Sequence, residues 1–136
     1  MYKYFILILL FASLAFSARA KSNTSSFSAT FIDNLNVTTI VNNVEYKFQY
    51  PDSPASKYKH IIYGRRGKSI VTVPWEKIKR IDFVEDKKNY NAVILLKDNR
   101  IILIYADLAN AEYFGFNDFG GSFQINAEYV RSIIFN

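Results

Sequence analysis

The chain has 136 residues, half of them hydrophobic and 17% aromatic, with 17 Lys and Arg against 12 Asp and Glu and no cysteine. An apolar content this high excludes intrinsic disorder over residues 27–135. The lack of Cys excludes disulfide stapling, thiol catalysis, Cys-ligated zinc and iron–sulfur clusters, and a single histidine, His60, excludes the usual multi-His metal centres.

Residues 1–20 (MYKYFILILLFASLAFSARA) carry one early cation, Lys3, an apolar run from Tyr4 to Phe16, and Ala18-Arg19-Ala20 as a small-x-small site. That layout is a secretory signal peptide cleaved after Ala20. The apolar run is shorter than the roughly 20 residues needed to span hydrocarbon. The expected mature chain starts at Lys21, is secreted or periplasmic, and has no transmembrane segment. It carries 15 cations against 12 anions, because the leader removes Lys3 and Arg19 and no acid. Residues 21–26 (KSNTSS) read as a flexible leader, and residues 27–136 as a single β-domain.

From Phe27 onward the pattern is strands and turns. Val37 to Val41 is β-branched throughout, which suits a pleated surface. Val44, Tyr46, Phe48 and Tyr50 alternate with polar residues, the period of a half-buried strand. Asn42-Asn43 between these runs predicts a two-residue hairpin turn, since Asn tolerates positive φ. Pro51 to Tyr58 reads as the one long loop. A second hairpin runs from His60 to Val73 and turns over Gly64-Arg65-Arg66-Gly67, which places Arg65 and Arg66 at its tip.

Ala92 to Leu96 and Ile101 to Tyr105 flank a third turn at Asp98-Asn99. Both runs are continuously apolar, a pattern that predicts strands buried on both faces. Tyr113 to Phe116 and Ser122 to Ile125 form a fourth pair, with Phe119 at the tip. An exposed ring there would suggest a contact site, although burial is the commoner outcome for such a residue.

Ser69 to Phe83 and Gly121 to Phe135 match at a constant separation. Val71 meets Phe123, Val73 meets Ile125, Glu76 meets Glu128, Ile81 meets Ile133 and Phe83 meets Phe135. Each segment reads as strand, short polar reversal, strand. Two copies suggest a duplicated unit rather than a stacked array. The expected fold is all-β: a single antiparallel meander of about ten short strands, closed as a small barrel or folded as a sandwich.

Little of the chain looks catalytic. No nucleophile elbow, phosphate loop or calcium loop occurs. His60, flanked by lysines, reads as an exposed strand-end residue. No catalytic residue, metal site or cofactor is assigned. The main binding candidate is the basic and aromatic cluster Lys57, Tyr58, Lys59, Tyr63, Arg65, Arg66 and Lys68. Such a cluster steers anionic partners. Given export, an anionic envelope polymer or an acidic protein surface is expected rather than nucleic acid. The sequence does not specify the oligomeric state.

The reading is therefore an exported non-catalytic binding or structural module. One alternative is a small hydrolase of envelope polymers that uses carboxylates such as Glu76 and Glu128. The other is a subunit of an exported assembly. Intact-mass measurement of the exported protein is expected to give a chain beginning at Lys21. Recovery of the uncleaved chain from membranes would contradict the signal-peptide assignment.

Overall fold

A computed structural model describes residues 26–49 and 59–136. The expected signal sequence and the whole of the expected long loop, Pro51 to Tyr58, lie outside the described residues. Ten strands carry the fold: β1 Ala29–Asp33, β2 Thr38–Phe48, β3 Ile61–Arg66, β4 Ser69–Pro74, β5 Ile78–Phe83, β6 Ala92–Leu96, β7 Ile101–Ile104, β8 Ala111–Asn117, β9 Ser122–Asn126 and β10 Val130–Phe135. Among the described residues two one-turn 3₁₀ helices, Trp75–Lys77 and Ala127–Tyr129, interrupt them. No helix among the described residues is long and apolar enough to cross a membrane.

The protein is all-β, with one antiparallel sheet of eight strands in the order β7-β6-β5-β10-β1-β2-β8-β9. The β3–β4 hairpin joins it through a backbone bridge, in which Arg65 and Tyr105 exchange N–H···O bonds of 2.8 Å. This corrects the expected meander. Four of the sheet's seven pairings follow chain order, but β5 pairs with β10, β10 with β1, and β2 with β8. The sheet is also not closed into a barrel.

The strand order has an internal symmetry. In the order β4-β3-β7-β6-β5-β10-β1-β2-β8-β9, a two-fold axis between β5 and β10 exchanges β1–β5 with β6–β10. Ile81 stands directly opposite Ile133 at that axis. Ala29 pairs with Phe135 and Phe31 with Ile133, just as Ala92 pairs with Phe83 and Ile94 with Ile81. The β1–β2 and β6–β7 turns match as well, with Asn36 at φ 64° and Asn99 at φ 72° in corresponding places. The backbone before each 3₁₀ turn is almost identical: Pro74 has φ −65° and ψ 138°, Asn126 φ −68° and ψ 140°.

The two sets of five strands are interleaved. In the sheet, β1 and β2 are flanked by β10 and β8, while β5 is flanked by β6 and β10. One continuous hydrophobic core serves both sets.

The core brings together side chains from strands far apart in the sheet order. Trp75, 1% exposed, reaches from the end of β4 to Tyr113 of β8, with ring centres 6.2 Å apart. It also meets Phe27, His60 and Phe135. Tyr113 packs in turn on Phe31 and Tyr46. Rings from strands far apart in the sheet order thus share one buried cluster, each contact adding to the area term.

Three local readings are revised. Asn42-Asn43 is not a hairpin turn: β2 runs straight through, and Asn43 (φ 52°) sits at a bulge where the pairing with β8 shifts register. A bulge absorbs one residue and bends a long strand without ending it. The tip of the β3–β4 hairpin is Gly67-Lys68, with Gly67 at φ 63°, so Arg65 and Arg66 lie within β3, opposite Ile70 and Ser69. Finally, only one face of β6 and β7 is buried. Ala92, Ile94, Leu96 and Ile104 point inward, while Ile101 and Leu103 are 65% and 42% exposed.

Close strand approach accounts for two glycines. A Cβ on Gly64 would lie 2.8 Å from the Tyr105 carbonyl oxygen, and one on Gly115 would lie 2.6 Å from that of Asn42. Both clashes are with backbone, which cannot rotate away. Gly115→Val is expected to cost about 1–3 kcal/mol or more through overpacking, read as a lower urea midpoint; an unchanged midpoint would contradict the packing. The interleaving carries a second expectation. Fragments 21–84 and 85–136 should each show coil-like circular dichroism alone, because neither holds a contiguous sheet. Native-like strand signal from either one would contradict it.

Candidate functional site

A cleft of about 770 Å³ lies where β3 meets the chain leaving β7. Alternation along β3 puts Tyr63 and Arg65 on one side of the strand, with Gly64 buried between them. Tyr105 follows β7 as the bridge partner of Arg65. The connection 106–110 and the loop 84–91 complete the walls, adding Leu108, Asp86 and Asp107, while Phe48 at the end of β2 packs on Tyr63 at 5.3 Å.

Asn91 holds this region in place. It is 5% exposed, and its side chain copies a backbone pairing: Nδ2 donates to the Ala106 carbonyl and Oδ1 accepts from the Ala106 N–H, both at 2.8 Å. Its own N–H donates to Ile104 O, and its carbonyl accepts from Val84 N–H. One buried side chain therefore ties the β5–β6 loop to the β7–β8 connection. A fully satisfied polar group of this kind fixes geometry in a way apolar packing does not.

The cleft is electrostatically divided. Tyr105 Oη donates to Asp86 Oδ2 at 2.9 Å, and that hydrogen bond is the main reason its hydroxyl titrates above the usual tyrosine value. Asp107 Oδ2 accepts from Asn110 at 2.8 Å. Burial, and then the charge of Asp107, pushes the hydroxyl of the neighbouring Tyr46 well up. Glu128, in the second 3₁₀ turn, adds a further carboxylate at the rim. A smaller hollow of about 270 Å³ shares Arg65 and Tyr105 with this cleft and is bordered also by Gly67, Lys88 and Asn89, with no carboxylate in its lining. Arg65 thus stands between an acidic aromatic cleft and a basic ledge.

The sequence-predicted cluster is divided by the fold. Lys57 and Tyr58 lie outside the described residues. Lys59 is exposed and placed 3.7 Å from Glu45, while its carbonyl accepts from Tyr46 N–H. Tyr63 and Arg65 line the cleft. Arg66 falls on the opposite side of β3 from Arg65, and Lys68 sits in the exposed turn. Tyr105, Asp86, Asp107, Asn91 and Lys88 were not singled out in the sequence. The only available signal was Tyr105, a polar-tipped ring closing the apolar run of β7.

His60 is not simply exposed. It packs between Phe27 and Trp75 at 4.8 and 5.5 Å, and burial lowers its pKa below the usual 6.5, opposed by Glu45. Glu76 and Glu128 are both exposed in their 3₁₀ turns, and of the two only Glu128 lines the cleft. Phe119 is 85% exposed on the β8–β9 loop, where Asn117 Oδ1 accepts from Phe119 and Gly121 N–H, each at 3.0 Å. Among the described residues no group of three His, Cys, Asp or Glu is placed to hold a metal ion. Comparison with family models, with curated proteins and with solved structures yields no match in any of the three.

Asn91→Leu is expected to lower stability by about 2–4 kcal/mol, since both polar groups of Ala106 lose their partner in a buried site; a loss below about 0.5 kcal/mol would show that the clamp is not needed. The His60 shift has a definite sign. The folded state binds its proton less readily than the unfolded chain, so the stability it contributes is complete above the unfolded value and declines as pH falls through 6.5. Melting temperature should fall between about pH 7 and pH 5, and His60→Phe should flatten that slope. An equal slope in both proteins would contradict it.

Proposed function

We propose that the mature chain is an exported, non-catalytic binding domain, secreted or periplasmic, whose contact region is the basic ledge on the Arg65–Tyr105 side of the cleft. The observation that carries this reading is that ledge: Arg65, Lys88 and the Tyr105 ring border a hollow without carboxylates, beside an aromatic wall held by the Asn91–Ala106 clamp. Aromatic faces beside a few fixed polar groups are the usual make-up of a ligand site. The partner this favours is an anionic envelope polymer lying along Arg65, Lys88 and the Lys68 turn, with an acidic protein surface as the related option. The finer architecture we favour is sandwich-like, a curled sheet with its wings facing, in keeping with the Trp75–Tyr113 contact.

A carboxylate hydrolase is the second reading. The carboxylates of Asp86, Asp107 and Glu128 in one cleft favour it. Tyr105 and Asn110 already engage the first two, and Glu76 does not line that cleft, so binding is the better conclusion.

The test is retention on an immobilised anionic polysaccharide over a salt gradient. Wild type should be retained and released by salt, as screening of such contacts requires. The Arg65→Glu, Lys88→Glu double variant should elute at markedly lower salt, and Arg131→Glu, away from the cleft, should elute with wild type. Equal elution of all three would refute the assignment. Clearance of a glycan substrate that disappears in Asp107→Asn would establish the hydrolase reading instead.

A further inference from the structure

We propose that the outer face of the eight-stranded sheet is a self-association surface, covered in solution by a second copy of this chain. The cross-strand registers align two rows of side chains on that face. One runs Leu103, Val93, Asp82, Ser132, Ile32, Thr38, and the other Ile101, Leu95, Arg80, Ile134, Thr30, Ile40. Seven of the twelve positions are aliphatic. Ile101 and Leu103 at one edge of the face and Ile40 at the other are 65%, 42% and 44% exposed; Val93, Leu95, Ile134 and Ile32 between them are partly exposed, and Ser132 is buried beneath Arg80 and Asp82. A continuous aliphatic stripe across six strands, open at both edges, marks an interaction surface rather than ordinary surface variation. The apolar runs of β6 and β7 also have the composition of strands buried on both faces, whereas this fold buries one.

Charge and symmetry point to a like copy. The only charges in the two rows are Arg80 and Asp82, paired at 2.9 Å at the centre of the face, with Ser132 donating to Asp82 at 2.7 Å. The face is therefore electrically neutral and carries one group of each sign. Stacking two such faces about a two-fold brings Arg80 of each copy toward Asp82 of the other, the self-complementarity that an isologous interface requires. The surface's own pseudo-two-fold, between Ile81 and Ile133, exchanges Arg80 with Ser132 and Asp82 with Ile134, so the β6–β7 and β1–β2 flanks lie evenly about this central group. A partner of strong net charge would find no counterpart. The wing formed by the second half of β2 with β8 and β9 differs: Lys47, Glu112 and Gln124 engage one another there, which suits solvent.

The test is sedimentation equilibrium of protein purified from cells expressing the full chain. A dimer is expected, with Leu103→Lys plus Ile40→Lys weakening self-association at least roughly tenfold, because each places a charge in an apolar contact. Phe119→Ser, on a loop outside the rows, should leave the dimer intact. Circular dichroism and melting temperature separate dissociation from misfolding. If the double lysine variant does not fold, Asp82→Arg and the swap Arg80→Asp with Asp82→Arg provide the decision: the single change should dissociate the dimer and the swap restore it. A wild-type monomer at about 100 µM, or a dimer indifferent to all these changes, overturns the proposal. Heterologous capture on a monomeric wild type would count as overturning it too.

Discussion

The antiparallel pairing of β5 with β10 is the constraint on which the rest of this molecule depends. Ile81 and Ile133, both fully buried and directly opposite, fix the register of two strands far apart in sequence. Once that pair is set, β6 can add only to the outer edge of β5 and β1 only to that of β10, so the remaining hairpins fill in symmetrically. The result is an all-β sheet whose two five-strand sets are interleaved, with a single aromatic core. A pairing with so long a sequence separation is costly in loop closure, and the core rings that repay it come from both ends of the chain.

The cleft follows from the same arrangement. Interleaving places β7, from the later strand set, against β3, from the earlier one, and a glycine at each such crossing lets the backbones touch. At Gly64 the crossing leaves Tyr63 and Arg65 on one side and brings Tyr105 beside them. The symmetry-related crossing at Gly115 carries Phe116 and Asn42 in place of Arg65 and Tyr105. The symmetric scaffold therefore ends in two chemically different crossings, and only the first combines aromatic rings, carboxylates and an arginine. The longer chain between β2 and β3 is the other main departure from symmetry.

Much of the strand content was legible in the sequence because alternation and turn residues are local signals. The Asp98-Asn99 turn, the strands flanking it and the polar reversals at Trp75–Lys77 and Ala127–Tyr129 all lie where the pattern places them. The errors have physical causes. Asn42-Asn43 supplies positive φ, but a bulge uses that conformation as readily as a turn does, and composition does not separate them. Strand order was not legible because pairing partners are chosen by tertiary packing, which local periodicity does not encode. The candidate site was legible only at Tyr63 and Arg65. Asp86, Asn91 and Asp107 matter through contacts closed by the fold, and each on its own resembles an ordinary loop residue.

Native-state hydrogen exchange on the intact domain tests the central claim most directly, since cooperative units open together and at the same free energy. If the β5–β10 pairing unites both strand sets, the amides of Ile81 and Ile133 and those of β1 and β6 beside them should exchange slowest and with one common opening energy. Protection that separates β1, β2 and β3 from β6, β7 and β8 into two openings of different energy would contradict the account.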